Sequence, residues 1–548
     1  MKRFFTLLLL LGFVFSLKAQ IAPNKYWIQF TDKNDSPYSI DEPEEFLSER
    51  ALQRRLDYNI AIDNYDIPVN PAYIQAVAEK GATILNPSKW LNGVTVELSD
   101  PSVITEIESL SFVEKTRVLH NNNLKREIKE KAFFSNEFMS ISDNIDYRDY
   151  YGMAYDQINQ LNGIALHETG YKGQGMWIGI CDGGFDNVDE HEVFEDMYIN
   201  NRLLGTRDFV RNDGNVYNES SHGTSCLSLM AGNIPDKYVG TAPLASYYLC
   251  RTEDVKSENL IEEYNWVSAA EFLDSLGIDV ISTSLGYVDF DNSQWDHIYS
   301  DIDGETSVIT IGSEIACSRG ILCVTSAGNE GDTGFPYISV PADGENVLTV
   351  GAVDKNGDKA SFSSIGPTYD NRIKPDVMAH GYYVNVAVTW GSGFAEGSGT
   401  SFSCPVLAGM AACLWQANKQ LPASAIREAL RQNASNTNNP NNYYGYGIPN
   451  LEAALESLII DENQNSVINP LILVFPNPSN GEVEVDIKAI GKVNVEVYNQ
   501  IGKLLYNNLV TRYYIGGLTS FLNELGSGLY LIRVRDEEKN QTVKFIKY

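Results

Sequence analysis

From about residue 150 to 458 the chain carries a series of short, unbroken apolar runs: WIGICD, ASYYLC, DVISTSLG, GILCVTSAG and NVLTVGAV. Each is too short to cross a membrane, which takes about 20 apolar residues. Each is also too uniformly apolar for a strand with one face in water. Runs of this kind fit parallel strands covered on both faces, and helix-like segments separate them here. They restrict residues 150–458 to an α/β domain with a doubly wound, mostly parallel sheet. At about 150 residues per folding unit, a chain of 548 residues holds three or four such units, so others flank this one.

The opening segment, MKRFFTLLLLLGFVFSLKAQ, sets Lys2 and Arg3 before an apolar run from Phe4 to Leu17, with Leu17-Lys18-Ala19 resembling a cleavage site. Residues 1–19 read as a secretory signal. Residues 20–120 read as a small α+β domain, with strands in KYWIQF, NGVTVEL and VEKTRVL and helices in FLSERALQRRL, PAYIQAVAEKG and SVITEIESL. In the first helix the Leu and Ala spacing predicts an apolar face. Residues 121–149 are polar and charged without a sustained period, as in an exposed connector open to proteolysis. A polar linker, 459–472, leads to residues 473–548, where LVFPNPSNGEVEVDI, KVNVEVYN, GLYLIRVRD and QTVKFIKY alternate with period two and predict a small antiparallel β-sandwich.

Charge narrows the class of partner. Lys and Arg number 41 against 72 Asp and Glu, a formal net charge of −31, which argues against nucleic acid and anionic membranes. The seven cysteines form no CxxC pair and lie mostly in apolar runs such as GILCV and AACLW, so they read as buried free thiols.

Chemistry-bearing residues sit where predicted elements end. WIGIC runs into Asp182-Gly183-Gly184-Phe185, placing a carboxylate at the carboxyl end of a strand, where α/β sheets bind ligands. Ser221-His222-Gly223-Thr224 opens the apolar helix SCLSLMAG, and Gly399-Thr400-Ser401-Phe402-Ser403-Cys404-Pro405 opens VLAGMAACLWQAN. A nucleophilic hydroxyl needs a base within hydrogen-bond reach, and the base needs a carboxylate on its other nitrogen. Singly, each motif is as easily a strand end or a helix cap. Together they supply carboxylate, imidazole and hydroxyl in the chain order Asp, His, Ser, which is the order known from subtilisin. A fourth piece, Ala327-Gly328-Asn329-Glu330-Gly331, follows the strand GILCVTS, and an Asn amide at such a turn is a donor suited to an oxyanion.

On these motifs residues 150–458 resemble the subtilisin-like serine peptidases, the subtilase family. VISTSLG (Val280 to Gly286), ASFSSIGP (Ala360 to Pro367), Lys374-Pro375-Asp376-Val377 and Gly445-Tyr446-Gly447 are similar to family segments. The resemblance implies an endopeptidase that hydrolyses peptide bonds through an acyl-enzyme. Asp182 then orients, His222 is base and afterwards acid, Ser401 is the nucleophile, and Asn329 with the Ser401 backbone N–H forms the oxyanion hole. Ser284, Leu285, Gly286, Ala327 and Gly328 are implied as the substrate-binding strands. Three positions depart from the family pattern: Gly183 stands where Ser or Thr is usual, Ser225 where many members have a second His, and His380-Gly381 where Pro-Gly is usual.

No cofactor is implied as part of the reaction. Subtilases often bind Ca²⁺, but no D-x-[DN]-x-[DN]-G loop occurs here. His191, in the run DEHE, lacks an HExxH helix and reads as an exposed acidic turn rather than a metal site.

The flanks extend the resemblance. Residues 25–120, with SKWLNGVTVEL, resemble a subtilase propeptide, which implies a zymogen that cuts itself between about 121 and 150. Phe475-Pro476-Asn477-Pro478, Gly528-Leu529-Tyr530 and the basic finish Lys544-Phe545-Ile546-Lys547 resemble the sorting domain of the type IX secretion system. The implied route passes the periplasm and outer membrane to the medium or cell surface. Implied partners are protein or peptide substrates, the chain's own propeptide and the type IX secretion machinery, with no nucleic acid, and the protein is expected to be a monomer. Two other readings fit the same residues: a catalytically silent surface adhesin on a subtilase scaffold, and a peptide ligase or cyclase of the same fold.

Overall fold

The computed structural model describes residues 24–120, 133–135, 147–391, 393–464, 472–475, 479, 483–487, 492–500, 502–511, 516–535 and 540–547. The predicted signal, residues 1–19, lies outside them, as do residues 121–132 and 136–146 of the connector and 465–471 of the linker. The chain divides into two compact units, one up to Leu455 and one from Glu456.

In the first unit, an antiparallel four-stranded sheet has the order Ala82–Ser88, Gly93–Leu98, Lys25–Phe30, Val113–His120. Side chains alternate across a strand, and here both faces are buried. Tyr26, Ile28 and Phe30 pack with Val77, Val94, Val96 and Ile107 in the domain's own core. Trp27 points the other way, onto Tyr264 of the helix Ile261–Leu276, with ring centroids 4.9 Å apart. Ala82–Ser88 (ATILNPS) is a strand the sequence does not announce, since Asn and Pro interrupt it.

The helix Glu49–Asp57 differs from its predicted pattern. Leu56 is 74% exposed, whereas Arg54 and Arg55 are buried. The arginines turn towards the large domain. Arg55 Nη2 reaches Asp66 at 2.7 Å and Asp274 at 2.9 Å, while Arg54 Nη2 meets Asp274 at 2.5 Å. Buried charges persist only when paired and hydrogen-bonded, so this helix folds by its partner domain and not by its own apolar stripe.

The large domain carries a seven-stranded parallel sheet in the order Val377–His380, Leu348–Val353, Leu322–Ser326, Val280–Thr283, Trp177–Asp182, Ser246–Arg251, Leu203–Asp208. The five apolar runs form the five interior strands. Trp177–Asp182, first in the chain, lies between Val280–Thr283 and Ser246–Arg251, so successive strands are laid down to either side of it. That reversal opens a crevice at the carboxyl ends of the strands, and Asp182 stands at its edge. Among the described residues no helix is long and apolar enough to cross a membrane.

In the second unit, an antiparallel sheet ordered Leu504–Thr511, Lys492–Asn499, Gly528–Arg535, Asn540–Lys547 and a two-stranded sheet, Ile472–Phe475 with Glu484–Ile487, share one apolar core. A helix, Gly516–Glu524, which the period-two reading did not contain, adds Leu518 and Leu522 to that core.

Candidate active site

Asp182 is fully buried, and its carboxylate is held from two directions. Gly183 N–H donates to Oδ1 at 2.7 Å, and His222 Nδ1 stands 2.9 Å from Oδ1 and 3.0 Å from Oδ2. Gly183 therefore supplies through its backbone a hydrogen bond to the carboxylate. A Cβ on Gly183 would lie 2.7 Å from Val255 Cγ1, so Val255 fills the space that a larger residue at this position would need.

His222 is the first residue of the helix His222–Ala231. The helix start packs so closely on the loop after Asp182 that a Cβ on Gly223 would sit 2.4 Å from Gly184 O and 2.8 Å from the Phe185 ring. Glycine at this place brings the imidazole down onto the carboxylate. Burial lowers the pKa of His222, but the facing Asp182 carboxylate outweighs it and holds the imidazolium well above its ordinary range. Nδ1 is committed to Asp182, while Nε2 is buried with no hydrogen-bond partner among the described residues.

Ser401 is the second residue of the helix Thr400–Ala417. Its N–H belongs to the first helical turn, which has no intrahelical acceptor. Its Oγ donates to Ser284 O at 3.3 Å. Pro405, four residues on, has no N–H to close the helical bond to Ser401 O. That carbonyl instead accepts from Ser284 Oγ at 2.8 Å and from Cys226 Sγ at 3.4 Å, tying the Ser401 helix to the strand end and to the His222 helix. The His222 and Phe402 rings stack across the same contact, 6.1 Å apart.

Asn329 is oriented by Thr400, whose N–H and Oγ1 donate to Asn329 Oδ1 at 2.9 and 3.0 Å. Thr400 Oγ1 in turn accepts from Gly328 N–H at 3.2 Å. With its oxygen so engaged, the Asn329 amide turns its Nδ2 hydrogens away from Thr400. Thr400 and Pro405 are positioning residues to which the sequence motif assigns no role; the signal for both is their fixed place around Ser401.

The predicted substrate strands are short and closely backed. Leu285 is buried, and Gly286 faces Ser339 so tightly that a Cβ would lie 2.1 Å from Ser339 Oγ. Ala327 O accepts from Ser339 N and Gly328 O from Ser364 N, at 3.1 Å each.

Asp182, His222 and Cys226 also offer ligand atoms within 4.8 Å of one another. Burial raises the Cys226 pKa, so the thiol stays protonated, and His222 Nδ1 faces the carboxylate as a donor; this trio is a poor metal-ligand set. All seven cysteines are free and six are buried, with Cys404 pushed up to about 12 by burial. His191 is a partly buried cap, not an exposed turn: Nδ1 accepts from Val193 N–H and Nε2 pairs with Gly393 O at 2.9 Å, so both nitrogens are spent. Ser225 Oγ is likewise spent on Ala387 O at 2.7 Å, and His380 Nε2 on Tyr382 O at 3.1 Å.

Three family models match the chain. They are the subtilase family over residues 173–447, the peptidase S8 propeptide domain of Bacteroidota over 25–133, and the secretion system C-terminal sorting domain over 473–548. Among curated proteins, subtilisin NAT of Bacillus subtilis subsp. natto is 26% identical over 386 residues, 69% of this chain and 85% of that protein. Subtilisin DY of Bacillus licheniformis is 30% identical over 294 residues, 53% of this chain and 94% of its own, and subtilisin of Bacillus pumilus 29% over 303 residues, 55% and 98%. The chain belongs to the subtilase family: it is a serine-type endopeptidase made with a propeptide and exported by way of a type IX sorting domain.

Proposed function

We propose that the reaction runs through Ser401, His222 and Asp182, with Asn329 and the Ser401 N–H as the oxyanion hole. The observation that carries this is the His222 imidazole, held by Asp182 at Nδ1, with a buried Nε2 that has no partner among the described residues and stands beside the Ser401 helix. Rotation of Ser401 about its Cα–Cβ bond moves Oγ from Ser284 O towards Nε2; such contacts tighten only in the substrate complex. Nε2 takes the hydroxyl proton as Oγ attacks the scissile carbonyl. Asp182 stabilises the imidazolium so formed, and Asn329 Nδ2 and Ser401 N–H receive the charge that develops on oxygen. His222 gives the proton to the leaving amine, and water resolves the acyl-enzyme by the reverse path.

Ser284 to Gly286, with Ala327 and Gly328, form the floor and edges that take the substrate backbone and the side chain before the scissile bond. Substrates are proteins or peptides, the first of them the chain's own propeptide junction.

Denatured wild type and Ser401→Ala, each diluted into native buffer, test this. Wild type is expected to fall into two fragments and then hydrolyse added casein, while Ser401→Ala stays intact and inert. Equal activity of the two would refute the assignment.

A further inference from the structure

Three charged side chains stand in a row at the carboxyl ends of three neighbouring strands. Arg251, the last residue of Ser246–Arg251, lies opposite Asp182 on one side and opposite Asp208 on the other. Residues opposite each other in a sheet point to the same face, on strands about 4.8 Å apart. Asp182 and Arg251 are fully buried, and Asp208 is 1% exposed.

The Arg251 guanidinium is loosely held for a group at that depth. Nε donates to Gly183 O at 3.3 Å, Nη1 meets Asp208 Oδ2 at 3.4 Å, and Nη2 is buried with no partner among the described residues. Replacing a buried ion pair by apolar side chains is often neutral or stabilising. Two long bonds and an orphaned donor therefore argue for a role other than stability.

What the two bonds join shows that role. Gly183 follows Asp182 directly, and its N–H is the donor that holds Asp182 Oδ1. Consecutive glycines, Gly183 and Gly184, give this loop little stiffness of its own. The Gly184 carbonyl is held by Gly223 N–H at 3.0 Å, and the Gly183 carbonyl by Arg251. Asp208 begins the segment that ends in His222. Its Oδ1 accepts from the N–H groups of Val210 and Arg211 at 2.8 and 3.3 Å, and Arg251 O accepts from Phe209 N–H at 2.9 Å. One residue thus touches both segments that deliver the carboxylate and the imidazole.

We propose that Arg251 is a positioning residue for the pair Asp182 and His222. Its guanidinium fixes the Gly183 carbonyl, which keeps the adjoining N–H on Asp182. It also anchors Asp208, so that the segment after it presents His222 to the same carboxylate. Arg251 touches none of the reacting atoms and acts only through this pair. The proposal rests on the reading of Asp182, His222 and Ser401 given above.

A double-mutant cycle on the full chain tests it. Each chain is refolded with no other protease present, and folding is followed by tryptophan fluorescence. The reaction is read as the first-order loss of intact chain in mass spectrometry. Arg251→Met should fold and lose intact chain about 30- to 100-fold more slowly than wild type, the scale of a small misplacement at the reacting centre. Arg251→Lys, which keeps the charge and reaches one of the two acceptors, should recover part of that rate. In an Asp182→Asn chain the same Arg251→Met change should cost less than about threefold, because the pair that Arg251 aligns is already broken. A merely structural role would slow both backgrounds alike. Equal slowing in the two backgrounds, or the wild-type rate in Arg251→Met, would overturn the proposal. If Arg251→Met does not fold, Arg251→Gln carries the same cycle under the same criterion. An Asp182→Asn chain that cuts itself at the wild-type rate would instead refute the triad on which the proposal rests.

Discussion

At the residue scale, each polar atom of the site is already committed to a partner or left to meet the substrate. Asn329 Oδ1 is engaged by two Thr400 donors, which fixes the direction of the amide. Asn329→Ala should lower kcat about 10²- to 10³-fold with little change in KM, a magnitude that comes from removing one such donor in the subtilisin relatives themselves. His222 makes the pH prediction. Its pKa stands well above the ordinary 6.5 because the Asp182 carboxylate favours the charged form, and a base must be neutral to accept a proton. The kcat/KM profile should therefore rise with pH through a limb above 6.5. Asp182→Asn should shift that limb to lower pH and reduce the plateau about 10⁴-fold. An unmoved limb would show that another group titrates there. Asp182, His222, Ser401 and Asn329 stand out in the sequence because each lies in a short motif at an element's end. Thr400 and Pro405 do not, because their work is to bond Asn329 and to free the Ser401 carbonyl, contacts formed only when separate elements meet.

At the element scale, glycine sets how closely the His222 helix approaches the Asp182 loop. Gly223→Ala places a Cβ 2.4 Å from the Gly184 carbonyl, an overlap with backbone that side-chain motion cannot relieve. Stability should fall by about 1–3 kcal/mol. Activity should fall further, since the displaced helix carries His222 from Asp182; urea unfolding and kcat/KM on one preparation separate the two effects. Legibility followed burial. The five interior strands announce themselves by unbroken apolar runs, whereas the edge strand Leu203–Asp208 is mostly half-buried, contains Gly, Thr and Arg, and carries no such signal. The helix Glu49–Asp57 misleads for the opposite reason. Its buried face holds arginines whose partners, Asp66 and Asp274, are brought together only by the fold.

At the scale of the whole molecule, the propeptide domain is locked on the enzyme by one carboxylate in particular. Glu271, in the helix Ile261–Leu276, accepts from Ser88 Oγ, from Lys89 N–H at 2.7 Å and from Trp90 N–H at 3.0 Å. Burial raises its pKa from 4.5 to about 7, against the opposing pull of those donors and the Lys89 charge. The closed form holds the Glu271 proton between these two values and an opened form releases it. The contribution to closure is accordingly complete below about 4.5 and lost as pH rises through about 7. In the Ser401→Ala zymogen, the urea midpoint should decline from pH 5 to pH 8, and Glu271→Gln should flatten that decline; an identical slope in both chains would remove Glu271 from the explanation.

The central claim is that one hydroxyl, on Ser401, carries the covalent chemistry. A fluorophosphonate probe applied to the processed enzyme, followed by peptide mapping, tests it most directly. A single adduct on Ser401 is expected, absent from Ser401→Ala and suppressed in His222→Ala. An adduct on another residue, or one that persists when Ser401 is replaced, would contradict it.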